Sequence, residues 1–151
     1  MAGSNKMWKK GRGKLGVLDP LIGTWKAAAD TSMGKVTCTR TFTRVLDGAY
    51  VQLHADWQYE KGSYKEIALI GAGPDQELHF WSFTSDKKPS QGYLADVTDI
   101  HPQAVGFEAQ MDAGLARQAY WPDDEAGFHW VVESKTPKGW IRFVEHHYRP
   151  V

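Results

Sequence analysis

Turn signals recur every ten residues or so along this chain, and nearly every stretch between them alternates. Residues 35–45 place Thr37, Thr39, Thr41 and Thr43 against Val36, Cys38, Arg40, Phe42 and Arg44, a period of two in a β-branched setting. Asp47-Gly48 then turns the chain, and residues 49–59 alternate again, with Ala49, Val51, Leu53, Ala55, Trp57 and Tyr59 on one face. Turns at 60–62, 71–75, 86–91, 101–102, 112–114, 122–124 and 136–139 bound further strand-length runs at 64–70, 78–85, 93–98, 104–111, 115–121, 128–134 and 140–149. With a first strand at 23–29 this makes ten strands in sequential meander, with no room for crossover helices. Ten strands joined by tight turns must close or stack to remove their edges. The expected fold is all-β: a closed antiparallel up-and-down barrel wide enough to leave a cavity. A short helical turn precedes it, with Asp19 as its cap and Pro20 as its first residue.

Charge divides the chain unevenly. Residues 1–16 hold Lys6, Lys9, Lys10, Arg12 and Lys14 and no acid, leaving 13 basic against 18 acidic residues in the rest. Residues 1–16 are expected to form a flexible basic leader and residues 17–151 the barrel domain. An acidic body argues against nucleic acid as partner. The leader has no apolar run and does not read as a secretory signal; no stretch is long and apolar enough to span a membrane. The single cysteine, Cys38, allows no intrachain disulfide, which suits the cytoplasm.

The last strand lacks one clean apolar face. Trp140, Arg142, Val144, His146 and Tyr148 alternate with Ile141, Phe143, Glu145, His147 and Arg149. A dry core does not tolerate inward arginine or histidine without partners, so the pattern favours a cavity with a polar part. Arg40 and Arg44 share a face with Phe42. They either point inward, offering charge to an anionic group, or form an outward ion-pair ladder with acids such as Glu66 and Asp56. His146 and His147 face opposite sides and cannot chelate one ion together. No zinc motif is present, and no metal is expected. A proton-transfer pair, Asp56 with His54 on one face of the third strand, is the enzymatic alternative. Cys38 reads as a buried filler.

The run Leu21-Ile22-Gly23-Thr24-Trp25 at the head of the meander resembles the Gly-x-Trp signature of the calycin superfamily, which holds the lipocalins and fatty-acid-binding proteins. Together with Arg40 and Leu46-Asp47-Gly48-Ala49-Tyr50, it is similar to lipocalin-like proteins of bacteria. The resemblance implies that Trp25 plugs one barrel end, with Arg142 or Arg149 packed across it. His146-x-Tyr148 stands where fatty-acid-binding proteins carry Arg-x-Tyr. Nitrobindin-like relatives hold haem through a histidine near the chain end, matched here by His146 or His147, although Lys26-Ala27-Ala28-Ala29 replaces their glycine-rich continuation. The expected function is therefore binding of a small, largely apolar or amphipathic molecule. Trp25 would seal the base, Trp57, Phe107 and Trp130 line the wall, Arg40 supply charge, and Arg142, His146 and Tyr148 orient an acidic or carbonyl end. No cofactor is required by this reading, haem being the alternative, and a homodimer is compatible with it.

Overall fold

The computed structural model describes residues 5–151. A 3-10 helix, Lys14–Leu21, leads into ten strands: β1 (Gly23–Thr31), β2 (Gly34–Val45), β3 (Tyr50–Tyr59), β4 (Gly62–Ala72), β5 (Leu78–Thr84), β6 (Ser90–Ala95), β7 (Val105–Met111), β8 (Gly114–Pro122), β9 (Phe128–Thr136) and β10 (Gly139–Pro150). Each pairs with the next, and β10 returns to β1, closing an antiparallel up-and-down barrel. Closure satisfies the backbone of strands that would otherwise be edges. The closing seam is short: β1 meets β2 at nine positions but β10 only at Trp25↔Pro150 and Lys26↔Arg149. Among the described residues no helix is long and apolar enough to cross a membrane.

The sheet's register decides what the barrel encloses. Residues paired across an antiparallel ladder share a face. One such row runs Trp25, Arg40, Ala55, Glu66 and Thr84 across five strands. It starts near the entry of β1 and ends at the far end of β5, so it climbs from one barrel end to the other. The lower end is packed solid with Leu18, Leu21, Trp25, Phe42, Val51, Phe128 and Tyr148, each at most 8% exposed. Trp25 anchors that plug. Its Nε1 donates to the Leu21 carbonyl at 2.7 Å, and its ring meets Phe128 edge-on at 4.8 Å. Phe128, not an arginine of β10, is thus its ring partner; Arg149 is exposed, opposite Lys26.

Three local expectations differ from the structure. The helix begins at Lys14, so Asp19 lies inside it rather than capping it, and pairs with Arg44 at the plugged end. Residues 5–16 of the expected leader are held down: Trp8 and Leu15 pack against the core, Asn5 Nδ2 donates to the Gly127 carbonyl at 2.9 Å, and Gly11 N donates to the Gly16 carbonyl at 2.8 Å. Met1 to Ser4 lie outside the described residues. The sixth strand starts three residues earlier than expected and stops at Ala95, because the Asp96 carboxylate accepts both the backbone N–H and the hydroxyl of Thr98 and bends the chain away.

The segment after that bend, residues 96–104, crosses the outer wall and buries Val97 against Ala119 and Val131. Gly106 makes room for it: a Cβ there would sit 2.6 Å from Val97 and from the Gln118 carbonyl oxygen. Arg117 pins the segment, bonding Asp99 through two nitrogens at 2.8 and 3.0 Å and Glu133 at 2.9 Å, over the Trp140 ring.

Trp25→Ala removes a buried indole, its hydrogen bond and its edge contact. A loss of about 3–5 kcal/mol is expected, read as a lowered urea midpoint by far-ultraviolet circular dichroism; Trp25→Phe is expected to lose less.

Candidate functional site

Above the plug the barrel is hollow. The cavity holds about 540 Å³ and opens among the β1–β2, β3–β4, β5–β6 and β7–β8 turns, with Met33, Tyr59, Lys88 and Met111 near its mouth. Trp57 and Trp130 form its floor, with ring centroids 6.0 Å apart and planes near perpendicular. Phe80 and Phe107 meet edge to face at 5.6 Å on the wall. Val132, Val144 and Ala109 complete an apolar surface. The polar part of the wall comes from β4 and β5. Glu66 points inward with its Oε2 accepting the hydroxyl of buried Ser82, and Thr84 and Asp86 continue that side toward the mouth, the Thr84 hydroxyl donating to Asp86.

Beneath the floor lies a second cluster. Arg40 is 1% exposed. Its Nη2 donates to the Tyr120 hydroxyl oxygen at 2.8 Å, and its guanidinium carbon sits 4.2 Å from the Trp130 ring centroid. Nε and Nη1 have no partner among the described residues. Burial opposes the charge, but the Tyr120 and Tyr148 phenols and Glu66 outweigh it, and Arg40 remains a cation. His146 lies against both floor indoles, 5.0 Å from Trp57 and 5.3 Å from Trp130, with Nδ1 3.3 Å from the Tyr148 hydroxyl. Burial first, then the Arg40 charge, pushes its pKa down to about 4, so it is neutral at pH 7. Burial likewise raises Tyr148 and pushes the Cys38 thiol up to about 11, which leaves Cys38 an inert filler.

The residues singled out from sequence therefore divide into three groups. Trp57, Phe107 and Trp130 line the cavity. Trp25 sits in the plug, and Arg40, His146 and Tyr148 lie buried beneath the floor. Arg142 departs from the expected inward placement. A bulge between Arg142 and Val144 inserts Phe143 and reverses the alternation of β10. Val144, His146 and Tyr148 face in, while Arg142 stands outside, bonded to Glu133 at 3.0 Å and Glu145 at 2.9 Å. Arg44 sits at the plugged end with Asp19. His54 is exposed on the outer face of β3, the face that Asp56 shares, away from the cavity. The lining also holds Tyr64, Phe80, Ser82 and Thr84, which the sequence does not single out, and Glu66, expected in an outward ion-pair ladder.

The two histidines do not suit an axial haem ligand. His147 is on the outer wall, hydrogen-bonded to Asp123 at 2.8 Å and stacked on His129 at 4.5 Å. His146 is covered by the floor indoles, and a porphyrin on it would have to displace both. Among the described residues no group of three or more His, Cys, Asp or Glu side chains is placed to hold a metal ion.

Two stability measurements probe the buried cluster. A histidine with a folded pKa near 4 and an unfolded pKa near 6.5 takes up its proton on unfolding, so its stabilising contribution is complete above pH 6.5 and drains away toward pH 4. Over that window the native chain is expected to lose on the order of 3 kcal/mol more than His146→Phe, by urea unfolding at each pH. The Arg40→Met/Tyr120→Phe double variant removes a buried cation with orphan donors together with its one acceptor. It is expected to unfold at the same urea concentration or higher, by up to about 4 kcal/mol in stability; a large loss would show that the cation holds the barrel together.

No family model matches the chain, and no curated protein matches it.

Proposed function

We propose that this chain is a calycin-like binding module that holds one small, largely apolar molecule in the upper half of its barrel. The observation that carries the reading is the 540 Å³ cavity, open at one end and floored by Trp57 and Trp130. That volume falls within the range of small-molecule sites, about 300–1,000 Å³. Its wall is built as such sites are built: aromatic and aliphatic surface from Phe80, Phe107, Val132 and Val144, interrupted by a few polar groups on one side. The plug beneath closes the other end, with Trp25, Phe128 and Tyr148 each at most 8% exposed. Gly23-Thr24-Trp25, whose indole sits in that plug, is the motif on which the calycin resemblance rests.

The enzymatic alternative draws less support. The His54 and Asp56 pair named for it stands on the outer face of β3, and His146 is neutral and covered by two indoles.

The neutral apolar fluorophore N-phenyl-1-naphthylamine reports on the cavity, and floor tryptophans serve as energy-transfer donors. Ala109 faces the cavity with only a methyl group. Ala109→Trp is expected to fill that space and weaken probe binding at least tenfold while the folded spectrum is retained. Undiminished binding in the filled variant would place the probe on the outer surface and overturn the reading.

A further inference from the structure

We propose that the occupant of the cavity carries a protonated amine, held at the Glu66 carboxylate beside the rings of Trp57 and Tyr64. This rests on the cavity being a binding site and names the chemistry of its ligand.

The placement follows from one hairpin. Tyr59 pairs with Gly62 across the two-residue turn Glu60-Lys61, which puts Trp57 opposite Tyr64 and Ala55 opposite Glu66. All four share the inner face. Trp57 and Tyr64 meet edge to face with centroids 5.7 Å apart, so they form a corner rather than a closed stack. Glu66 is two residues along the same strand from Tyr64, about 7 Å away in rise.

The carboxylate is half engaged. Oε2 accepts the Ser82 hydroxyl, and Ser82 is 1% exposed, so that donor is committed. Oε1 has no hydrogen-bond partner among the described residues, and Glu66 is part of the cavity wall. A partly desolvated carboxylate with an unused oxygen attracts a cation and repels a second anion. Rings at its side add to the attraction, since the faces of Trp and Tyr draw an ammonium group.

The other charges around the cavity leave this preference in place. Asp86, nearer the mouth on the same wall, adds negative potential, and Lys88 stands at the mouth. Arg117 borders the lining, but its guanidinium is bonded to Asp99 and Glu133; Arg40 is a further cation behind the wall, and Glu66 favours its charge. Arg40 lies under the floor, engaged with Tyr120 and the Trp130 face, and is not part of the cavity surface. An alkyl or aryl amine fits this arrangement, with its apolar body against Phe80, Phe107 and Val132.

Three probes of one chain length separate the possibilities: n-octylamine, n-octanol and n-octanoate, titrated at pH 7 into the full chain with tryptophan fluorescence as readout. Octylamine is expected to bind about tenfold or more tightly than octanol, and octanoate most weakly. Glu66→Gln is expected to bring amine and alcohol within about threefold while leaving octanol affinity unchanged. Tyr64→Leu is expected to weaken the amine several-fold and spare the alcohol. If Glu66→Gln does not fold, the ranking in the native chain and the Tyr64→Leu result decide. Octanoate or octanol binding as tightly as the amine would overturn the proposal and leave the cavity reading standing. Binding of none of the three would overturn both.

Discussion

Ten strands in a closed ring enclose more space than their inward side chains can fill, and the structure is organised by how that excess is divided. At one end the 3-10 helix folds Leu18 and Leu21 under the barrel, and Trp25, Phe42, Phe128 and Tyr148 complete a solid plug. At the other end the inward positions are left partly unfilled: Ala109 and Ala116 are small, and Ser90 and Thr84 are short and polar. Trp57 and Trp130 mark the boundary between the two halves. Each packs on His146 from below and borders the cavity from above, so the same pair of rings closes the buried cluster and shapes the open space.

Arg40 sits on that boundary and explains much of the cluster around it. A guanidinium removed from water needs either a counter-ion or polarisable surfaces. Here no carboxylate bonds it. Tyr120 accepts one hydrogen bond, the Trp130 face lies 4.2 Å away, and Tyr148 is at 5.9 Å. Burial first, and then the Arg40 charge, keep His146 from taking a proton and favour the neutral imidazole beside Tyr148. On the far side of the floor, Glu66 is the nearest inward carboxylate in the same row of the sheet. Among the described residues the barrel interior therefore holds the Arg40 cation sealed below the floor, and the Glu66 and Asp86 carboxylates on the cavity wall above it.

The meander was legible because each turn carries its own chemistry, as at Asp47-Gly48, and each strand alternates. Trp57, Phe107 and Trp130 were legible as wall residues because they stand at inward positions of well-alternating strands. Arg142 was not, because alternation assumes an unbroken strand, and the bulge at Phe143 reverses the faces of β10 halfway along. Glu66 and Ser82 were hidden for a related reason. β4 and β5 carry apolar residues on both faces, and Ile67 and Phe83 are outward and 48% and 64% exposed. Which face turns inward depends on whether the preceding turn has two residues or three. A turn over 60–62 would carry Ile67 inward; the observed Tyr59↔Gly62 pair carries Glu66 instead.

By itself the sequence determined the fold class and the strand count, while the place of Trp25 at a closed end came only as what the calycin resemblance implies. Fold class and strand count depend on local chemistry: turn residues and period-two alternation. Tertiary structure alone decided which charged groups face the cavity. A one-residue shift in a hairpin or a single bulge moves a side chain from one side of the wall to the other, and nothing within the strand records the choice. The pairing with its neighbours makes it, and so the acidic part of the cavity wall lies on β4, β5 and the turn after β5 rather than on the last strand.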